Sequence, residues 1–72
     1  MVPLSELSEG QTGIVRQISG GHGFVQRLAE MGVYAGVEIR VVRGRGPMIV
    51  IVKNHRLVIG HGMVGRIMVD PA

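Results

Sequence analysis

The chain contains no cysteine, only two aromatic residues and no long apolar run. Without cysteine it can form neither a disulfide nor a thiolate metal site. Phe24 and Tyr34 are too few to build the stacking platforms of single-strand nucleic-acid binders. The longest apolar run, residues 48–52, is far shorter than the roughly 20 residues that span a bilayer. These absences argue against nucleic-acid binding and direct membrane insertion, and with no visible targeting segment they fit a cytoplasmic protein.

The length and the remaining composition indicate one small domain. A chain of 72 residues has room for a single domain, residues 1–72, and 46% of its residues are hydrophobic. The net charge is +3, and the eight Lys and Arg residues are scattered singly along the chain. Nucleic acid is therefore not an expected partner, because the basic residues form no run and lack aromatic neighbours.

Short strands dominate the predicted secondary structure of the second half. Residues 37–41, 48–52 and 57–59 are rich in β-branched residues, and turn residues at 44–47 and 53–56 separate them. Such a pattern predicts an antiparallel meander, and a chain this short must curl it into a small barrel to bury one face. Further strands are expected at residues 14–18 and 66–69. The predicted fold is all-β, and a barrel this small favours recognition over catalysis.

One helix is predicted, over residues 24–31. Phe24, Leu28 and Met31 follow one another at helical spacing, so we expect this stripe to pack on the barrel. Gly32 follows the last apolar residue, where a left-handed cap with positive φ is expected.

The hairpin after residue 48 divides into two faces. A turn at Asn54 and His55 would place Val52 opposite Leu57 and leave an all-apolar inner face. That inner face consists of Met48, Val50, Val52, Leu57 and Ile59. The opposite face carries β-branched residues, which either the helix or an end segment covers or another chain contacts. We predict a partner-binding surface there, formed by Ile49, Ile51, Val58, Arg43, Arg45, Lys53 and Arg56. A homodimer through the same residues is the alternative.

Residues that could support chemistry are sparse. The carboxylates show no paired spacing and the serines have no evident base, so no catalytic residue is proposed and no enzymatic activity is expected. His22, His55 and His61 lie in separate loops or turns and are weak candidates for a transition-metal site. No cofactor is required, and any metal would be incidental or would lie at an interface.

Several short motifs, taken together, resemble the ferrous-iron transport protein A family, FeoA, over nearly the whole chain. They are residues 3–7, Gly10 and Gly13, residues 27–32, residues 36–39, Gly46-Pro47 and residues 59–64. The resemblance implies an SH3-like β-barrel with a helix between its first two strands. It also implies a cytosolic accessory protein of ferrous iron uptake that docks on the membrane ferrous iron transporter, FeoB, which carries a cytosolic GTP-binding domain. The connection at residues 43–47 is shorter than in many members, so docking detail does not transfer if this loop contributes to partner contact.

The same barrel also resembles the carboxy-terminal domain of iron-dependent repressors. The second hypothesis is therefore a small domain that senses a transition metal or another effector. A neighbouring transporter gene would favour the accessory protein, whereas stoichiometric metal binding with a conformational change would favour the sensor.

Overall fold

Runs of β-branched residues between glycine-rich turns keep most of the chain extended. A computed structural model describes residues 1–72. In chain order the elements are β1 (Val2–Pro3), a 3-10 turn (Leu4–Glu6), β2 (Thr12–Ile18), α1 (His22–Glu30), β3 (Glu38–Arg43), β4 (Met48–Val52), β5 (His55–Ile59), α2 (His61–Val64) and β6 (Ile67–Pro71). The predicted strands and helix are all present, and β1 is an additional short strand.

The strands form one six-stranded sheet in the order β1-β6-β2-β3-β4-β5. Every neighbouring pair is antiparallel. The register shifts between Val15 and Gln17 in β2 and between Val41 and Arg43 in β3. Such irregularities increase local twist, which helps a sheet of short strands to wrap around its own core.

The core is a single aliphatic cluster of 15 buried residues. It is supplied by the inward positions of the strands, by both helices, by the first turn of the chain and by the segments that follow this turn and α1. Its members are Leu4, Leu7, Val15, Leu28, Val33, Val37, Ile39, Val41, Met48, Val50, Val52, Ile59, Val64, Ile67 and Val69. No side chain with a charged or polar group is buried, so the core is held by apolar packing alone.

A glycine cap ends α1 as the sequence predicts. Gly32 has φ +94°. Its amide donates to the Ala29 carbonyl at 3.0 Å, and the Val33 amide donates to the Leu28 carbonyl at 2.8 Å. This pair of bonds is a Schellman motif, in which the residue after the glycine packs against the helix. Val33 and Leu28 are accordingly both buried in the core.

Two details of the helix prediction are wrong. The helix begins at His22 because the Val25 amide bonds the Gly21 carbonyl at 3.1 Å, so the first turn closes within the glycine-rich segment. Met31 is the capping residue after the helix and remains 36% exposed, so it does not pack on the barrel. The helix is thus anchored by Leu28, with Phe24 partly buried beside the core.

The hairpin turn lies one residue earlier than predicted. Lys53 and Asn54 occupy it with φ of +52° and +67°, as a type I′ turn requires. Val52 is therefore opposite His55, and Val50 is opposite Leu57. Each residue of β4 therefore pairs with a residue of β5 that lies two positions earlier in the chain than the predicted partner. Because side chains alternate with a period of two, the assignment of the two faces survives the error.

Finally, no helix has the length and apolar character needed to cross a bilayer.

Candidate docking surface

The outward side chains of β3, β4 and β5 form two rows across the sheet. In one row Arg43 lies beside Ile49, which lies beside Val58. In the other, Ile51 lies between Arg40 and Arg56. We call these six residues the outer face. Each row combines apolar side chains with cations, so the strand register itself builds an apolar centre with a basic margin.

The outer face is open to solvent. Val58 is 58% exposed, and Ile49 and Ile51 are half-buried between their neighbours. Helix α1 buries Leu28 in the core, on the same side as Val50, and so lies on the opposite side of the sheet. The sequence left open cover by the helix, cover by an end segment and contact with another chain; cover by the helix is not adopted.

A shallow groove of about 400 Å³ runs beside the second row. Its lining consists of Thr12, Glu38, Arg40, Ile51, Lys53 and Asn54. Sequence reasoning missed Arg40, Glu38 and Thr12 as part of this surface. The alternation in residues 37–41 places Arg40 and Glu38 on one face of β3, but only the pairing of β3 with β2 and β4 brings them beside Thr12 and Ile51.

Lys53 lies at the turn end of the outer face, in a defined position. Its ammonium group donates a hydrogen bond to the Tyr34 hydroxyl and lies 4.7 Å from the centre of that ring. The charge of Lys53 thus remains at the surface, but Tyr34 limits how far the side chain can reach.

Arg45 lies at the other end, in the exposed loop between β3 and β4. The Gly44 amide beside it donates to the Glu9 carboxylate at 3.3 Å, which ties this loop to the segment before β2. Arg45 is therefore at the margin of the outer face and not within its two rows.

The cations of this region form no salt bridge within the chain, although Glu38 lines the groove beside Arg40 and Lys53. The structure contains two ion pairs, and both involve Asp70. Arg16 donates to Asp70 Oδ2 at 2.7 Å, and the Met1 amino group lies 3.3 Å from Oδ1. The hydrogen bond from Arg16, followed by that from the amino group, lowers the pKa of Asp70 below its ordinary value. The predicted cations Arg43, Arg45, Lys53 and Arg56, together with Arg40, are left without a salt bridge.

The three histidines lie on separate elements. His22, His55 and His61 are the first residues of α1, β5 and α2, and all are exposed. No group of three or more His, Cys, Asp or Glu side chains is placed to hold a metal ion. Metal binding through these histidines stays a prediction.

A comparison with known families identifies the chain. The FeoA domain matches residues 2–71. The chain belongs to the FeoA family. A protein of Methanocaldococcus jannaschii provisionally named Fe(2+) transport protein A is 40% identical over 73 aligned residues, which cover 100% of this chain and 89% of that protein. The FeoA family relationship therefore extends over essentially the whole chain.

Solved structures show the same FeoA architecture. The crystal structure of an iron uptake regulatory protein, FeoA, matches with 45% identity and a TM-score of 0.92, covering 99% of this chain and 96% of that one. FeoA of Stenotrophomonas maltophilia, crystallised with zinc and described as a prokaryotic SH3 domain protein, matches with 28% identity and a TM-score of 0.84, covering 97% and 91%. The predicted SH3-like fold is thereby confirmed. These relatives are described as iron transport or iron uptake proteins, not as enzymes.

The predicted likeness to metal-dependent repressors holds for the fold. A manganese-dependent transcriptional repressor matches with 23% identity and a TM-score of 0.88, and the match covers 97% of this chain but 41% of the repressor. At this identity the comparison concerns the architecture of the domain alone.

Proposed function

We propose that this FeoA-family chain is a cytosolic accessory protein of ferrous iron uptake that docks, through its outer face, on the GTP-binding domain of the ferrous iron transporter. One observation carries the proposal: the outer face has an uncovered aliphatic centre, and its cations form no salt bridge within the chain. Membership of the FeoA family supports a role in iron transport, since the Methanocaldococcus relative is named for Fe(2+) transport. The Stenotrophomonas relative is suggested to act as a ferrous iron transport activating factor.

The composition of the outer face suits a reversible protein–protein contact. Its centre, Ile49, Ile51 and Val58, offers apolar area whose removal from water stabilises a complex. Arg43, Arg45, Lys53 and Arg56 surround it and would attract an acidic surface, which raises the rate of encounter more than the final affinity. The association rate should therefore fall steeply as salt is added.

A homodimer through the same surface is less well supported. In a two-fold dimer both copies use the same patch, so the arginines of one copy would be brought close to those of the other. Like charges brought together across an interface cost free energy. None of the five cations at and around the outer face forms a salt bridge within the chain, and the single Glu38 that lines the groove beside Arg40 and Lys53 offsets only part of this repulsion.

Replacing Ile51 by Glu tests the proposal at the centre of the outer face. Ile51 lies between Arg40 and Arg56, so a carboxylate at this position gains two cationic neighbours and the fold should tolerate it. Ile51→Glu should nevertheless weaken binding to the purified cytosolic domain of the transporter by about tenfold or more, because it removes apolar area and neutralises the margin. Ferrous iron uptake should fall in cells that depend on the variant.

Met31→Glu is the matched control. It makes the same kind of change at an exposed apolar residue that follows α1 and does not belong to the outer face. This variant should bind the transporter domain as the unaltered protein does. Equal binding by both variants would refute the assigned surface. Conversion of a dimer to a monomer by Ile51→Glu, with transporter binding intact, would instead assign the surface to a homodimer.

A further inference from the structure

The two ends of the sheet differ in how well they are protected. Strand β1 forms one edge, and it has only two residues, one of them Pro3, which has no amide hydrogen to offer. Strand β5 forms the other edge and runs for five residues in unbroken register with β4. Short strands and prolines are devices that prevent unwanted pairing at an edge, and β5 has neither.

The turn that precedes β5 determines which of its backbone groups are free. In a type I′ turn the two flanking residues, here Val52 and His55, form a hydrogen-bonded pair. Antiparallel pairs alternate between bonded and non-bonded, so Leu57 and Ile59 also direct their backbone groups to β4. Arg56 and Val58 direct theirs away from the sheet. Neither residue contributes to the backbone hydrogen bonds formed outside the helices and strands.

The side chains of β5 indicate what kind of strand would fit beside it. Arg56 and Val58 project on the outer face, while Leu57 is half-buried on the inner face. Neither of the chain's two ion pairs involves Arg56, and β5 contains no carboxylate. A strand pairing with this edge would therefore place its own side chains beside one cation and one exposed apolar group.

We propose that the β5 edge binds an extended segment of a partner protein as a seventh strand, with an acidic side chain beside Arg56 and an apolar one beside Val58. The backbone of Arg56 and Val58 supplies two N–H groups and two carbonyl groups for pairing. The outward side chains of the added strand would lie next to those of β5 and so extend the outer face. The inference rests on the proposed function, because it assigns the segment to the cytosolic part of the transporter. Charge complementarity favours such a partner over a second copy, since pairing β5 with itself brings two Arg56 side chains onto one face without a carboxylate.

Substitution of Val58 by proline separates strand addition from contact with the face alone. Proline removes the outward amide hydrogen of residue 58 and leaves the bonds between β5 and β4 in place, as is tolerated on edge strands. Val58→Thr is the matched control, because it keeps the amide and the β-branched shape. We expect Val58→Pro to bind the purified cytosolic domain of the transporter at least tenfold more weakly than Val58→Thr. Unchanged melting of both variants shows that they are folded.

The outcome also distinguishes this inference from the proposed function. Equal binding by Val58→Pro and Val58→Thr, together with loss of binding by Ile51→Glu, would overturn strand addition and leave the docking surface in place. Equal binding by all three variants and the unaltered protein would overturn both.

Amide hydrogen exchange provides a test that does not depend on the folding of a variant. On addition of the transporter domain to the unaltered protein, exchange at the amides of Arg56 and Val58 should slow by tenfold or more. The Leu57 amide, already bonded to β4, is the internal reference. Unchanged exchange at both outward amides would overturn the proposal. Protection that develops in the absence of the transporter domain, as the concentration of the chain rises, would overturn it in favour of a second copy.

Discussion

Leu28 is the residue through which α1 is anchored, and its truncation should be costly. The side chain is 1% exposed and belongs to the single aliphatic core. Leu28→Ala removes three carbon atoms, which at about 0.8 kcal/mol per buried CH₂ gives about 2.4 kcal/mol before any cavity remains. The cavity raises the expected loss to about 3–4 kcal/mol, within the range of buried leucines. A domain of 72 residues has a total stability of roughly 4–11 kcal/mol, so much of it would be lost.

The measurement is urea and thermal unfolding followed by circular dichroism. At roughly 4–8 °C per kcal/mol for a domain of this size, the melting temperature should fall by roughly 12–32 °C. Met31→Ala is the internal comparison, because Met31 shares the apolar stripe in the sequence but is exposed in the structure. It should change the free energy of unfolding by less than about 0.5 kcal/mol. If the two variants unfold alike, the helix is not anchored as described.

Three further predictions concern backbone conformation and charge. Gly32→Ala should destabilise the protein by about 1 kcal/mol in urea unfolding. The added methyl group has room, since it would lie 4.0 Å from Val52 Cγ1, but the positive φ of this residue does not suit alanine. A gain in stability would contradict the cap. Asn54→Gly should stabilise the turn by about 0.5 kcal/mol and Asn54→Val should destabilise it, since residue 54 has a positive φ. The opposite order of stabilities in urea unfolding would refute the turn assignment. Arg16→Gln should raise the pKa of Asp70 toward its ordinary value in an NMR titration, and an unmoved pKa would show that Arg16 is not its main partner. Because the pKa of Asp70 is lowered in the folded state, the carboxylate stabilises the fold at a pH above its ordinary pKa, and this stabilisation is lost as the pH falls through the folded-state pKa. The free energy of unfolding of Arg16→Gln should therefore depend less on pH in acid than that of the unaltered protein.

The sequence predicted the strands of the second half and their two faces because both follow from local rules. Alternation with a period of two depends only on the extended backbone, so Ile49, Ile51 and Val58 are assigned to the outside even with the turn misplaced by one residue. The glycine cap at residue 32 is equally local, since it follows from the end of the apolar stripe.

Other features required knowledge of which strands are neighbours. Arg40 belongs to the outer face only because the register of β3 and β4 places it opposite Ile51. The exposure of Met31 follows from the turn at Gly32, which directs the chain into the core at Val33 and leaves the preceding residue outside. The two residues of β1 are too few to produce a sequence pattern.

The sequence by itself determined the class of the fold, the inward and outward positions of the meander and the cap of α1, because each depends on residues close together in the chain. It also determined the resemblance to the FeoA family, because short motifs can be compared in chain order without knowledge of which segments become neighbours. Only the tertiary structure decided that α1 leaves the outer face uncovered, that the cations of this face form no salt bridge within the chain and that β5 lies at an edge of the sheet. Those properties depend on strand order and on contacts between residues far apart in the chain, and no local pattern encodes which distant segments become neighbours when the sheet closes over its core.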